Sequence, residues 1–161
     1  MRKTRLYLEA SPIIRVGDNN SPIRQAITKE FFRIVAEKAD EYELFVSPVT
    51  FEELEDAKTE EKRKASAAFL ETIQYIRLPE NDEAEDLART YTIDGVLSQA
   101  HIDDLRHVAY AVVSRCDYII TWNMRHLANE QTVRRVNSQE NYGRIFITTP
   151  EFFTGGQIYG N

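Results

Sequence analysis

RLYLEASPIIRV, residues 5–16, places a short apolar run directly before a carboxylate. Leu6–Leu8 has the pattern of a buried strand, and Glu9 follows at the point where that strand ends. Ala10–Pro12 has the small residues and the proline typical of a turn, after which apolar residues resume. A charge at the end of a buried strand indicates either an ordinary surface turn or a functional site, and the rest of the sequence must distinguish the two.

Short apolar runs alternate with helical patterns along the rest of the chain. Strand patterns cover Leu6–Leu8, Tyr42–Val46 and residues 75–79, 117–122 and 143–150. Helical patterns cover residues 21–39, 49–57, 60–73, 82–93, 101–116 and 132–138. Strands joined through helices need crossover connections, which are typical of parallel sheets covered on both faces. The alternation predicts an α/β fold, namely a three-layer α/β/α sandwich with a mainly parallel sheet of about five strands.

Length and charge limit the domain organisation and the choice of partners. The chain has 161 residues, which favours one domain. We assign residues 1–153 to a single domain and the Gly-rich segment 154–161 to a flexible C-terminal tail. The formal net charge of −6 does not attract nucleic acid, so contact with RNA or DNA requires a local basic patch or bound metal ions.

Cysteine content and hydropathy indicate the compartment. The single cysteine, Cys116, excludes an intramolecular disulfide and fits a reducing compartment. Apolar runs are broken every few residues, and none approaches the length of a membrane span. The sequence therefore predicts a soluble, cytoplasmic protein without membrane contact.

Acidic and amide side chains recur where predicted strands end and helices begin. Glu9 ends the first strand, and Glu53 lies in the first turns of the helix after the second. Asp103 and Asp104 lie in the first turn of the helix over residues 101–116, and Asn123 directly follows the strand over residues 117–122. Each carboxylate by itself is explained by its favourable interaction with a helix dipole. Because the carboxyl ends of parallel strands share one edge of the sheet, however, we expect the whole set to lie together.

Such a cluster indicates a metal ion. Packed carboxylates repel one another, and Mg²⁺ or Mn²⁺ relieves the repulsion because both ions prefer oxygen ligands. The three histidines and one cysteine lack the spacing of a tetrahedral zinc site, which disfavours zinc. A bound divalent cation at this edge is suited to hydrolysis of a phosphodiester.

Four segments carry a family resemblance. YLEAS (residues 7–11) is similar to a YLDTS opening, and FVSPVTFEEL (45–54) contains a second acidic motif. IDDLRHVAYA (102–111) is similar to LDDALHIALA, and DYIITWNMRHL (117–127) to the pattern D-x-x-[IV]-[ST]-W-N-x-x-H. The four motifs occur in the order and at the spacing of the PIN-domain family, the ribonuclease fold of VapC-type toxins. The chain resembles this family from about Leu6 to Phe152.

The resemblance implies a function and a set of site residues. Glu9, Glu53 and Asp104, with Asn123 assisting, match the catalytic and metal-binding positions of the family. The implied activity is Mg²⁺- or Mn²⁺-dependent endoribonucleolytic cleavage that leaves a 3′-hydroxyl and a 5′-phosphate. The implied role is the toxin of a type II toxin–antitoxin pair, with an RNA substrate, a cognate antitoxin and a homodimeric assembly.

Two positions differ from the usual pattern and keep other hypotheses open. The family's first acid is normally Asp where this chain has Glu9, and many members carry Asp where it has Asn123. The alternative is therefore a catalytically impaired PIN-fold module that binds RNA or protein. A receiver or phosphatase domain is less favoured, because a single acid, rather than an acidic pair, follows the first strand.

Several neighbouring residues are candidates for supporting roles or RNA contacts. Ser11 and Thr121 are placed to hydrogen-bond carboxylates or metal-bound waters, although strand-end and capping roles explain them equally well. His107 could donate to a carboxylate or a phosphate, and a half-buried histidine with satisfied hydrogen bonds is its simpler interpretation. The full supporting set is Ser11, Thr121, Arg15, Asp103, His107 and Arg125, with Arg15 and Arg125 as phosphate contacts.

Overall fold

One parallel sheet organises the molecule in the computed structural model, which describes residues 2–137 and 142–155. Its strands are β1 (Thr4–Leu8), β2 (Tyr42–Val46), β3 (Ile76–Arg77), β4 (Tyr118–Ile120) and β5 (Phe146–Thr148). Their order across the sheet is β3-β2-β1-β4-β5, and every pair is parallel. The predicted sheet of about five parallel strands is confirmed.

Helices connect the strands and cover both faces of the sheet. They are α1 (Ala10–Val16), α2 (Pro22–Glu37), α3 (Pro48–Glu55), α4 (Glu60–Leu70), α5 (Asp82–Ile93), α6 (Ile102–Val113), α7 (Glu130–Asn137) and α8 (Glu151–Thr154), with a 3₁₀ turn, Gln99–His101, before α6. No helix of the described residues is long and apolar enough to cross a membrane.

Alternating side chains of the central strand contact two separate cores. Leu6 and Leu8 pack with residues of α1, α2 and α4 on one face. Tyr7, between them, packs with residues of α5 and α6 on the other. Since successive side chains of a strand point to opposite faces, the sheet lies between two helical layers. The predicted three-layer α/β/α sandwich is therefore confirmed.

The turn predicted at Ala10–Pro12 is wrong, because helix α1 begins at Ala10. The Glu9 side chain accepts a hydrogen bond from the Ser11 backbone N–H and so caps this helix. Pro12 is tolerated because the first backbone N–H groups of a helix have no partner within it. A seven-residue helix that begins with Ala-Ser-Pro has no long apolar period to reveal it.

The C-terminal segment contains a further helix that the sequence did not predict. Thr154, assigned to the tail, is the last residue of α8 and is buried. Gly155 follows in the left-handed conformation. Residues 156–161 of the predicted tail lie outside the described residues. So does Ser138, the last residue of the helix predicted over residues 132–138. The division into a domain and a flexible tail stays a prediction.

The strand order places the edge where the site is expected. The chain leaves β1 for β2 on one side and later adds β4 on the other, so the direction of winding changes at β1. Leu8 is in register with Ile120, and the Glu9 backbone N–H donates to the Ile120 carbonyl at 3.2 Å. Glu9 and Thr121 therefore leave adjacent strands side by side, at the position where parallel α/β folds bind their ligands.

Candidate functional site

The Glu9 carboxylate is buried and held in place at the end of β1. Glu9 is only 6% exposed. Its Oε1 accepts hydrogen bonds from the Ser11 backbone N–H at 2.9 Å and from the Thr121 hydroxyl at 2.8 Å. The Ser11 hydroxyl also donates to this oxygen. The structure thus places both predicted supporting hydroxyls on Glu9. Glu9 is at once the cap of α1 and a candidate ligand.

A buried chain of hydrogen bonds connects the second acid to the core. Glu53 Oε1 is hydrogen-bonded to Nε2 of His107, which is fully buried rather than half-buried. His107 Nδ1 lies 2.6 Å from the Tyr7 hydroxyl, which lies 2.6 Å from the Ser47 hydroxyl. Ser47 in turn accepts from the Thr50 backbone N–H and caps α3. These contacts fix the orientation of the imidazole and hence of Glu53.

Glu9, Glu53 and His107 form a compact group. One ligand atom from each lies within 4.8 Å of the others. Burial alone would lower the pKa of His107, but its hydrogen bond with Glu53 and the charges of Glu53, Glu9 and Asp104 raise that pKa above its ordinary value. The site is therefore strongly electronegative, and it favours a positive charge between the two glutamates.

Asp104 lies beside this group and is held by Asn123. The Asn123 Nδ2 donates to Asp104 Oδ1 at 3.3 Å, while Asn123 Oδ1 accepts from the His126 backbone N–H at 3.0 Å. The amide nitrogen, rather than the oxygen expected of a metal ligand, faces Asp104. Burial raises the pKa of Asp104, and the charges of Glu9 and Glu53 raise it further, against the opposing effects of His107 and His126.

Two histidines outside the predicted set of site residues also lie near Asp104. Asp104 Oδ2 lies 3.7 Å from His101 Nδ1 and 4.0 Å from His126 Nδ1. Among the described residues, ligand atoms from His101, Asp104 and His126 form a second group within 4.8 Å of one another. The spacing of 101 and 104 on one helical turn was a weak signal, and His126 was visible as the histidine of the W-N-x-x-H pattern.

The other acid of the pair, Asp103, belongs to a different cluster. Its carboxylate lies 3.1 Å from Arg106 Nη1, and Glu52 Oε2 lies 2.9 Å from the same nitrogen. Arg106 Nε lies 2.8 Å from Glu85 Oε1. Asp103 and Glu52 therefore pair with a surface cation, whereas their sequence neighbours, Asp104 and Glu53, face the site.

The Arg106 cluster predicts a pH dependence of stability. Partial burial by itself would raise the pKa of Glu85, but hydrogen bonds from Arg106 and Tyr110 bring that pKa below its ordinary value of 4.5. A depressed pKa means that Glu85 stabilises the folded state fully above pH 4.5 and progressively less as the pH falls through its folded-state pKa. In urea denaturation, the stability difference between wild type and E85Q should be constant above about pH 5.5 and shrink below about pH 4.5.

A matched variant tests the assignment to Glu85. Glu55, an exposed glutamate in α3, has no ion pair within residues 2–137 and 142–155. E55Q removes the same charge and should show no such shrinking difference. The prediction would be refuted if the free energy of unfolding of E85Q varied with pH in the same way as that of E55Q.

The predicted phosphate contacts have different environments. Arg15 Nη1 lies 3.3 Å from Asp18 Oδ2, so this arginine, in the last turn of α1, is paired with the loop that follows. Arg125 is exposed and has no ion pair with the described part of the chain. Arg125 is therefore the more available of the two for a phosphate, and both assignments stay predictions.

Removal of the Tyr7 hydroxyl should cost stability out of proportion to its size. In Tyr7→Phe, His107 Nδ1 and the Ser47 hydroxyl both lose their buried partner. We expect the free energy of unfolding to fall by about 1–3 kcal/mol. The matched control is Tyr91→Phe, because Tyr91 is equally buried but its hydroxyl makes no hydrogen bond to the described residues. Chemical denaturation should give a loss within about 0.5 kcal/mol for this control, and equal losses in the two variants would contradict the prediction.

Comparison with known proteins supports the fold. No protein-family model matches this chain, and no curated protein is similar to it at a significant level. Among solved structures, VapBC-1 from nontypeable Haemophilus influenzae has a TM-score of 0.57 at 16% identity. VapBC2 from Rickettsia felis, bound to a DNA fragment from its promoter, has a TM-score of 0.59 at 12% identity. Each comparison covers 91% of this chain and 98% of the other.

This chain has a PIN-like α/β fold. The likeness extends over nearly the whole length of both VapBC chains, and the parallel five-stranded sheet with helices on both faces is the fold expected from the motif resemblance. At 12–16% identity the likeness concerns the fold alone. Activity has to be argued from the side chains of this chain.

Proposed function

We propose that this protein is a Mg²⁺- or Mn²⁺-dependent endoribonuclease of the PIN type. The observation that carries the proposal is the proximity of the Glu9 and Glu53 carboxylates, from segments more than forty residues apart, at the carboxyl edge of the sheet. Asp104 lies close enough for both charges to raise its pKa. Several carboxylates in one place are the donor set that a hard divalent cation prefers.

The residues have distinct roles in this proposal. Glu9, Glu53 and Asp104 would hold the cation, which supplies Lewis acidity and compensates the charge that develops on a phosphodiester during hydrolysis. The Ser11 and Thr121 donors keep the Glu9 carboxylate in one orientation. His107 and Asn123 do the same for Glu53 and Asp104, respectively. A site whose ligands are held by neighbours needs little rearrangement when it binds metal and substrate.

We further propose that the protein is the toxin of a toxin–antitoxin pair. The two solved structures named above are VapBC structures, and an antitoxin partner for this chain is inferred from that likeness. The homodimer and the cytoplasmic location are predictions from the family resemblance and the composition.

Metal removal tests the activity directly. Purified wild-type protein should cut single-stranded RNA in the presence of Mg²⁺ or Mn²⁺ and lose this activity in EDTA. The products should carry a 3′-hydroxyl and a 5′-phosphate, which adaptor ligation detects without further treatment of the ends. Varied single-stranded RNAs that remain intact with either metal would refute the proposal, provided that circular dichroism shows a folded protein.

A second candidate is a binding module with an impaired site. It is favoured by two observations: Glu9 Oε1 already accepts hydrogen bonds from Ser11 and Thr121, and the Asn123 carbonyl oxygen is turned away towards the His126 backbone. Fluorescence anisotropy separates the two candidates. Binding of RNA that persists in EDTA, without cleavage when Mg²⁺ is added, would support the module and contradict the nuclease.

A further inference from the structure

His101 and His126 lie face to face beside Asp104. Their ring centroids are 3.9 Å apart with an angle of 33° between the ring planes. Both Nδ1 atoms face the same oxygen, Asp104 Oδ2, at 3.7 and 4.0 Å. These distances exceed those of a hydrogen bond. Neither imidazole donates to or accepts from any other side chain or backbone group in the described part of the chain.

The surrounding structure positions the two rings from different directions. His101 ends the 3₁₀ turn that leads into α6, so it lies one turn before Asp104. His126 lies in the loop after β4, where its backbone N–H donates to Asn123 and its carbonyl accepts from the Thr132 hydroxyl at 2.7 Å. Both side chains are about one-third exposed, at 32% and 31%, so each imidazole is accessible to solvent.

The three ligand atoms have the chemistry and approximate separation of a metal site. Ligands bound at about 2.0–2.1 Å in a tetrahedral zinc site lie roughly 3.3 Å from one another. The observed 3.7 and 4.0 Å are only slightly longer, so small side-chain rotations would bring the three atoms together. Two neutral imidazoles and one carboxylate are typical ligands of zinc and related transition metals, and three protein ligands leave a coordination position open to solvent.

We propose that His101, Asp104 and His126 bind a divalent transition-metal ion of the zinc type. This site is chemically distinct from the all-oxygen pair Glu9 and Glu53, which suits Mg²⁺. Asp104 joins the two regions, because its Oδ1 faces Asn123 while its Oδ2 faces the two histidines. The sequence disfavoured zinc because the ligands are separated along the chain, and the fold brings them together.

Cobalt provides a probe that does not depend on RNA cleavage. Tag-free, metal-free protein in excess Mg²⁺ is titrated with Co²⁺, whose visible absorption reports coordination by protein ligands. We expect one Co²⁺ per chain, displaced by one equivalent of Zn²⁺. H101Q and H126Q should each weaken Co²⁺ binding on the order of 100-fold, because loss of a ligand costs at least as much as loss of its supporting contacts.

The matched control is D103N, which removes a carboxylate paired with Arg106 in the same helical turn and leaves all three proposed ligands in place. It should change the Co²⁺ affinity less than threefold, and thermal denaturation checks that each variant is folded. The proposal is overturned if wild type binds no Co²⁺, or if H101Q and H126Q bind it as wild type does. A nuclease that fails while Co²⁺ binding follows the histidines would refute the proposed function alone, so the two failures are distinguishable.

Discussion

E53Q and D104N should cut RNA about 1,000-fold more slowly than wild type, which corresponds to about 4 kcal/mol of lost transition-state stabilisation. Each substitution preserves the shape of the side chain and removes one negative charge from the group that would hold the cation. The rate is measured on a fluorescent single-stranded RNA in saturating Mg²⁺. Circular dichroism in EDTA should show both variants folded at the assay temperature, because the substitutions also relieve repulsion between carboxylates.

The neighbouring residues in the sequence offer unusually close controls. Glu52 and Asp103 precede Glu53 and Asp104 directly, yet both pair with Arg106 at the surface. E52Q and D103N remove the same charge from the same helical turns and should cleave at wild-type rates, since exposed ion pairs contribute little to stability. Equal losses in both members of either pair would mean that the effect is one of overall charge and would refute the assigned site.

His107→Ala should destabilise the metal-free protein by about 3–5 kcal/mol. His107 is fully buried, and its removal leaves a cavity and takes away the hydrogen-bonding partners of Glu53 and Tyr7. Urea denaturation in EDTA gives the free energy of unfolding. His101→Ala is the control, because that histidine is about one-third exposed and should cost less than about 1 kcal/mol.

A double-variant cycle identifies the origin of this loss. If part of the cost comes from the uncompensated Glu53 charge, His107→Ala combined with E53Q should be more stable than the sum of the two single effects predicts. Strict additivity, or a loss below 1 kcal/mol for His107→Ala, would contradict the assigned coupling between the imidazole and the carboxylate.

The regular elements were predictable where local signals agreed. β2 spans Tyr42–Val46 and α5 spans Asp82–Ile93, as their sequence patterns indicate. The helix predicted over residues 49–57 corresponds to α3, whose start is capped by the hydrogen bond from the Thr50 backbone N–H to Ser47. α1 was missed because its start depends on the cap supplied by Glu9 rather than on a long apolar period. The strands β3, β4 and β5 are shorter than predicted, since pairing with neighbours, which a single segment does not reveal, decides where a strand ends.

Only part of the candidate site could be predicted from the sequence. The acids were visible because parallel strands bring their carboxyl ends to one edge, and Ser11 and Thr121 followed as neighbours of that edge. The contact of Tyr7 with His107 was not visible, since it joins residues one hundred positions apart. The orientation of Asn123 was not visible either, because it is set by the hydrogen bond that its Oδ1 accepts from the His126 backbone N–H.

The sequence by itself determined the layered α/β architecture and the edge of the sheet at which acidic side chains gather, because both follow from local periodicity and from the direction of parallel strands. The motif resemblance selected Glu53 and Asp104 from their neighbouring pairs. Only the tertiary structure decided how each is held, Glu53 by His107 and Asp104 by Asn123, while Glu52 and Asp103 pair with Arg106. It also decided that His101 and His126 meet at Asp104. Adjacent residues of a helix point about 100° apart, so packing against the sheet, and not composition, selects which of them enters the pocket.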